Sequence, residues 1–420
     1  MKIAVVGGGA AGFFLSGRLK RLLPEARVVL IERSSRVLAK VKVSGGGRCN
    51  LTNSFAEVSD LCHVYPRGHK LMKRLLREFS HEDAYRWFEA HGVPLTTQDD
   101  ECVFPQSQNS ESVILCLRRE AEAAGVEVRT GCPVIAVRRR EGEGLLLVYD
   151  ETGERNELFD RVAITTGGAP RGEGHDWLSA LGHKIEKPCP SLYTFNINTR
   201  ALASLMGIVV ENAMVGIAGT KYRAEGALLI THWGLSGPAV LRLSSYAARH
   251  MDENKYNVPL LVNWTGETNV EKVAEQLRVC LREAQRRQMG NLHPFGLQNR
   301  LWLYLLERAG IASDKPCCEL GSKGLNRLVH VLTSDSYEVA GKGAFREEFV
   351  TCGGVSLESV SMRTLESKVC PGLYFAGEVL DIDAVTGGFN FQAAWTTAYV
   401  AAGAIAASLR DREAGDETRR

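Results

Sequence analysis

Apolar residues open the chain in an unbroken run, Ile3-Ala-Val-Val6, that meets glycine directly, the pattern of a short strand buried on both faces. A helical stretch follows, with Phe13, Phe14, Leu15, Leu19, Leu22 and Leu23 mostly on one side, and it stops at Pro24. Val28-Val-Leu-Ile31 is a second apolar strand, closed by Glu32. Helices are predicted over Lys70–Phe79, His81–His91 and Glu111–Ala124. Ser80 and Asp83 have capping-box spacing, and Gly125 ends the third helix. Glu127–Arg129, Val134–Arg140, Leu145–Tyr149 and Glu157–Asp160 read as short strands joined by Glu-Gly-Glu-Gly and Glu-Thr-Gly turns. Arg161-Val-Ala-Ile164 is another strand, ending in Thr166-Gly-Gly168.

The pattern changes after Pro188 and Pro190. Ser191–Asn198, Ile208–Ile217 and Lys221–Thr231 are strand-like, Gly237–Arg249 is helical, and Pro259–Val262 is a further strand. Val270, Val273, Ala274, Leu277, Cys280, Leu281 and Ala284 recur at helical spacing, as do Leu301, Leu305, Leu306 and Ala309. Strands resume near Tyr337 and Phe349, and Cys352-Gly-Gly354 leads back to the first pattern. Leu373-Tyr-Phe-Ala376 then meets Gly377, and a small-residue helix runs from Phe391 to Ala407. The expected domains are 1–190 with 352–420, 191–265 with 330–351, and 266–329. The 420 residues, at ~150 per domain, agree with two or three.

Charge and cysteine narrow the class. Fifty-one Lys+Arg against 49 Asp+Glu leave a net +2, which weighs against a nucleic-acid binder. Eighteen consecutive apolar residues occur nowhere, so no membrane association is expected. Eleven cysteines, an odd number without CxxC spacing, together with an N-terminus unlike a secretory signal, point to the cytoplasm. HExxH and clustered His/Cys spacing are missing too, so no metal is expected.

The first glycine loop, Gly7-x-Gly9-x-x-Gly12, has both neighbours that give this weak motif meaning: a strand before it and a helix after it. Gly7 permits the turn, Gly9 lets backbone approach a pyrophosphate, and Gly12 allows close packing of helix on strand. Glu32, twenty residues beyond Gly12, can accept from ribose hydroxyls and repels a 2′-phosphate. Two further glycine segments favour FAD over NAD. Ser44-Gly-Gly-Gly-Arg-Cys-Asn50 lets backbone approach a flat ligand, with Arg48 as a planar cation. Gly377-Glu378 and Gly387-Gly388-Phe389-Asn390 would place a carboxylate at the ribitol and a helix N-terminus at the pyrimidine edge of a flavin. NAD proteins have no need of that second grip.

These segments, with Thr166-Gly-Gly168 and Thr231-His-Trp-Gly-Leu-Ser-Gly-Pro238, resemble in order and over nearly the whole chain the bacterial NAD(P)/FAD-dependent oxidoreductases. That family is also called the aminoacetone-oxidase-family FAD-binding enzymes, within the glutathione-reductase-type flavoproteins. The resemblance implies an α/β fold: a Rossmann-like FAD-binding domain with a three-layer ββα sandwich, interrupted by a β-barrel-like domain and a small helical domain. It implies FAD contacts from Gly7, Gly9, Ala10, Ala11 and Gly12, and from Glu32, Arg33 and Lys40. The second loop would add Ser44, Gly45, Gly46, Gly47, Arg48, Cys49 and Asn50. Val134 would reach the adenine through its backbone, and Thr166 and Gly167 would lie at a strand end. Gly377, Glu378, Gly387, Gly388, Phe389, Asn390 and Phe391 complete the set. Asp383-Ala384 departs from the family's Asp-Gly.

The expected activity is FAD-dependent oxidoreduction of a small organic substrate, with dioxygen reoxidising the flavin or transient NAD(P)H reducing it. A flavin-dependent tRNA-modifying enzyme and a redox-sensing FAD protein are the alternatives. No second strand–GxGxxG–helix unit offers a nicotinamide its own site, and no CxxxxC pair follows the first domain. Thr231, His232, Trp233 and Thr351–Gly354 are candidate walls of a substrate site. His232 is the most tempting acid/base candidate, but a capping or packing role is favoured for it, and no catalytic residue is assigned.

Overall fold

Five parallel strands form the first sheet: β1 (Lys2–Val6), β2 (Arg27–Ile31), β3 (Glu127–Arg129), β4 (Arg161–Ile164) and β5 (Leu373–Phe375), in the order β5-β4-β1-β2-β3. The computed structural model describes residues 1–169, 174–342 and 350–417. Its two compact units are Met1–Pro190 with Phe349–Arg420, and Ser191–Glu348.

Register in the first unit decides where the site lies. Val6 pairs with Ile31 and with Ile164, and Ile164 pairs with Phe375. The strands therefore end in one row, and Gly7, Glu32, Thr165 and Ala376 all leave the sheet at its carboxyl edge. The chain winds outward from β1 first to β2 and β3, then on the other side to β4 and β5. That reversal beside β1 is the topological switch point where open α/β sheets bind ligands.

Helix α1 (Ala10–Leu22) follows β1, α2 (Glu111–Ala124) precedes β3, and α3 (Phe389–Glu417) closes the unit. α1 packs against both α2 and α3. Gly125 ends α2 at φ +83°, as the sequence predicts. An antiparallel meander of Ala136–Arg140, Gly144–Val148 and Asn156–Phe159 completes the unit. Glu157 on it pairs with Lys2 of β1 (2.6 Å) and Arg129 of β3 (2.5 Å).

In the second unit, an antiparallel sheet orders its strands Phe195–Asn196, Gly234–Ser236, Arg223–Thr231, Val209–Ile217, Asn257–Asn263 and Asp335–Ala340. It nearly closes on itself, because Phe195 bridges Lys342 and the Asn196 N–H donates to the Gly341 carbonyl (3.0 Å). Helices Val270–Glu283, Asn299–Arg308 and Ser322–Ser334 share its hydrophobic core, which holds Trp264 and Trp302. Fully buried Trp264 donates to the Asp335 carboxylate (3.1 Å).

Several elements differ from their predicted bounds. The helix expected over Lys70–Phe79 is His69–Leu75; beyond it the Leu75 carbonyl accepts from Glu78 and Phe79, so the chain continues as turns. The Gly237–Arg249 helix breaks at Ala247 into Pro238–Tyr246 and Ala248–Glu253. The last helix is longer than predicted at both ends. Ser322–Ser334 was not predicted, although Leu325, Leu328, Val329 and Leu332 form its buried face.

Glu157 makes the meander's attachment sensitive to pH. Burial alone raises its carboxyl, but Arg129 and Lys2 outweigh that and hold it at about 2, against an ordinary 4.5. Its contribution is therefore complete above pH 4.5 and is lost as pH falls through about 2. Between those limits, urea unfolding will show the natural chain losing more stability than Glu157→Gln; equal losses would detach the acid limb from this carboxylate.

Candidate functional site

Each glycine of the first loop meets different surroundings. A Cβ on Gly7, whose φ is +116°, would lie 2.4 Å from the Thr165 carbonyl oxygen. One on Gly12 would lie 1.9 Å from the Gly7 carbonyl oxygen. One on Gly9, the N-cap of α1, would meet nothing within 4 Å. Two glycines thus fit backbone to backbone, while the third faces open space at a helix N-terminus. The first turn of α1 contains no acid, so its N–H groups have no carboxylate partner from within the helix. Thr165, which the sequence did not single out, locks the turn by donating to the Val6 and Gly7 carbonyls (3.0 and 2.9 Å).

Glu32 sits beside this turn. Its carboxylate accepts from the Gly8 N–H and the Ser34 N–H, both at 2.8 Å, which fixes its orientation and leaves lone pairs for a hydroxyl donor. The Leu38 N–H donates to the Gly8 carbonyl (2.8 Å) and docks the second loop onto the first. That second segment departs from the expected loop: Ala39–Gly47 is helical up to a kink, where Ser44 is extended and Gly45 and Gly46 take φ +55° and +68°. A Cβ on Gly45 would strike the Asn50 N–H at 2.9 Å, whereas one on Gly46 would meet nothing. Arg48 lies over the Phe104 ring at 4.2 Å and donates to the Gly45 carbonyl (3.2 Å). Cys49 is fully buried; burial pushes its thiol up to about 12, with a hydrogen bond to Ser44 opposing. Its side chain is neutral packing, not a nucleophile.

From the far end of the chain, Gly377 packs on α1: a Cβ there would lie 3.0 Å from the Ala11 methyl. Glu378 is paired with Lys40 (2.6 Å), and its other oxygen accepts from the Thr351 N–H (2.7 Å). Lys40 is more than half exposed, so the pair fixes geometry more than it adds stability. The tightest convergence is at Gly388. With φ +90°, it brings a prospective Cβ within 2.1 Å of the Thr52 carbonyl oxygen. Asn50 bridges the same two strands of chain, donating to the Thr52 carbonyl (3.0 Å) and accepting from the Gly388 N–H (3.2 Å). Asn53 donates to the Gly387 carbonyl (3.1 Å), Tyr65 to the Phe389 carbonyl (2.8 Å), and Trp395 to the Leu51 carbonyl (3.0 Å). α3 starts here, with no acid in its first turn.

A buried ion pair holds the loop before Gly387. Arg67 grips both oxygens of fully buried Asp383, and the guanidinium stays charged because that carboxylate outweighs burial. Removing one partner of such a pair costs about 3–5 kcal/mol. Asn390 clasps both the N–H and the carbonyl of Ala384 (2.9 and 3.0 Å). Ala384 keeps an ordinary φ, so alanine fits there without strain.

The other predicted residues fall around this frame. Thr166 and Gly167 follow β4, with Gly167 at φ +76° facing Glu378. Ala10 is half-buried in the first turn of α1, and Arg33 is exposed beyond Glu32. Val134 is half-buried, just before its strand, on a segment tied to Glu32 by the Cys132 N–H (3.0 Å). Gly47 accepts from the Ser110 N–H (2.8 Å), and Phe391 stacks on Trp395 at 5.7 Å. His175 precedes the helix Asp176–Ala180 without capping it. Exposed His232 lies edge-on to Trp233 in the second unit. Thr351, expected as part of a substrate wall, donates its backbone N–H to Glu378 (2.7 Å), while Thr397, which receives the Gly377 N–H (2.9 Å), carried no sequence signal because an ordinary helical threonine looks the same.

This arrangement suits a long dinucleotide: open space at Gly9 and Gly46, two acid-free helix N-termini, and carboxylates at Glu32 and Glu378. A family model described as the HI0933-like protein Rossmann domain matches residues 1–404. The chain belongs to this family. It is similar to the 3-dehydro-bile acid delta(4,6)-reductase of Clostridium scindens, 26% identical over 413 residues that cover 96% of this chain and 99% of that protein. It is also similar to the ribosomal RNA dihydrouridine synthase of Escherichia coli, 29% identical over 427 residues, covering 95% and 96%. A solved 3-ketosteroid delta1-dehydrogenase from Sterolibacterium denitrificans shares the fold, with a TM-score of 0.51 at 12% identity over 97% of this chain and 99% of that one. FAD is the cofactor, and the protein is a flavoprotein oxidoreductase.

The three glycine environments separate binding from folding. Gly12→Ala will cost about 1–3 kcal/mol in urea unfolding of the FAD-free chain, because its methyl has no room. Gly9→Ala will leave that stability unchanged and weaken FAD in a fluorescence titration; unaltered affinity would move the pyrophosphate away from Gly9.

Proposed function

We propose that this FAD-dependent oxidoreductase reduces a conjugated carbon–carbon double bond, with hydride supplied by a visiting NAD(P)H. When bound, FAD accepts a hydride from one partner and delivers it to another. Overall, one NAD(P)H and one proton are consumed, and the saturated product and NAD(P)⁺ leave.

The observation that carries this reading is the start of α3. The Gly388–Phe391 backbone there is fixed by Asn50, Tyr65 and Asn390 and faces no first-turn acid. A fixed, positive helix end stabilises negative charge developing on a reduced ring system placed against it. The Gly9–Gly12 turn holds the pyrophosphate, Glu32 the adenosine ribose, Val134 the adenine through its backbone, and Glu378 the ribitol. The two full-length relatives add chemical direction: a Δ4,6-reductase and a dihydrouridine synthase both add hydrogen across a double bond conjugated to a carbonyl. We place the chain among the glutathione-reductase-type flavoproteins of the cytoplasm, with residues 266–329 as a helical insert beside the barrel.

Anaerobic titration tests this. NADH or NADPH will bleach the yellow protein, and a conjugated enone or a uridine-containing RNA will restore the colour in proportion to the acceptor added. Bleaching by amines, with colour restored only by dioxygen, would make the protein an oxidase and overturn the proposal.

A further inference from the structure

The near-zero net charge of the chain conceals one local excess. Between Asp60 and Glu78 there are five Lys or Arg residues and no acid. Arg67 is used by Asp383, and the other four, Lys70, Lys73, Arg74 and Arg77, are exposed. Their spacing of three, four and seven residues puts them on one side of the helix His69–Leu75 and the turn after it. Leu71, Met72 and Leu75 bury the opposite side at 1% exposure or less, so the basic face cannot roll inward. The four cations line a groove with Met362, and among the described residues none of them forms an ion pair or hydrogen bond with a carboxylate. Asp60, which feels the charge of Lys73, already accepts from the Cys62 N–H.

The position of this face matters as much as its charge. Arg67 and Gly68, immediately before the helix, clamp the loop that leads to Gly387–Gly388: Arg67 through Asp383, and Gly68 against Ile382, 2.7 Å from a prospective Cβ. The Val385 N–H also donates to the Val64 carbonyl (2.9 Å). A ligand held on the basic face is therefore held beside the flavin-side loop by a short, stiff connection.

We propose that this face binds the phosphate backbone of RNA and presents a uracil base, itself a conjugated double bond, to the flavin site. The proposal rests on the reductase reading for its chemistry, while the binding surface stands on charge alone. Seven residues of helix rise about 10 Å, a span that suits successive phosphates better than the single 2′-phosphate of NADPH. A membrane-binding helix would expose an apolar side, and here that side is buried. A polynucleotide must give up a base to the site, and backbone contacts that tolerate any sequence suit that task.

Fluorescence anisotropy with a labelled single-stranded oligouridylate and the oxidised holoenzyme tests the surface without turnover. Lys73→Glu/Arg74→Glu will weaken binding at least about tenfold. It will also reduce the slope of log affinity against log salt by about 1.4, at ~0.7 per lost phosphate contact. Unchanged flavin content and unfolding midpoint will certify the fold, and Arg286→Glu/Arg287→Glu, reversing an exposed basic pair elsewhere, will change neither affinity nor slope. Equal RNA affinity and slope in natural and Lys73/Arg74 chains would overturn the proposal. So would tighter binding to anionic phospholipid vesicles than to RNA, or a loss confined to NADPH. Binding that obeys these expectations while RNA fails to restore flavin colour would sink the reductase reading and leave the surface standing.

Discussion

At Gly388, backbone stands where any side chain would collide with the Thr52 carbonyl, and the rest of the site depends on that close approach. It joins a loop near residue 50 to the start of the last helix, across more than three hundred residues of sequence. Asn50, Asn53, Tyr65 and Trp395 each add a hydrogen bond across the same seam. Contacts so distant in sequence are costly to form in an open chain, so they hold only once the parallel sheet has brought both segments to one edge. The alignment of Val6, Ile31, Ile164 and Phe375 does so.

Electrostatics then specify what that edge accepts. Two helices begin there without a first-turn acid, and the nearby carboxylates are oriented by backbone N–H groups. Positive helix ends suit anionic phosphates and a ring that gains negative charge on reduction, while Glu32 and Glu378 suit neutral hydroxyl donors. The same division extends outward to the basic helix after Gly68, which is anchored to the loop before Gly387 by the buried Arg67–Asp383 pair and by the contact of Gly68 with Ile382. Its four exposed cations cancel in the composition and appear only in space.

The sequence was most legible where backbone sterics leave little choice. Gly7, Gly9 and Gly12 fell into the three environments their spacing implies, because a strand–turn–helix unit has few ways to close. The α/β class and the FAD cofactor were readable for the same reason. Long-range pairings were not: nothing about Thr165, Thr397, Arg67 or Asp383 in isolation distinguishes it from a routine strand, helix or loop residue. Helix ends were also obscure, since the apolar pattern of Lys70–Phe79 continues through a turn that mixes i→i−3 with i→i−4 hydrogen bonds. The second glycine segment differs in form from the expected loop, for Ala39–Gly47 carries a helix into it. Overall charge is silent about local excess, because it averages the basic face of Lys70, Lys73, Arg74 and Arg77 with acids elsewhere.

The claim at the centre of this account is that segments 44–53 and 377–391 form one flavin site. The most direct test is the flavin content and reduction potential of a Gly388→Ala chain. Its methyl must separate the helix start from Thr52, so the protein will keep its folded secondary structure, lose most of its bound FAD, and hold the remainder at a lower potential. Full occupancy at an unshifted potential would contradict the account.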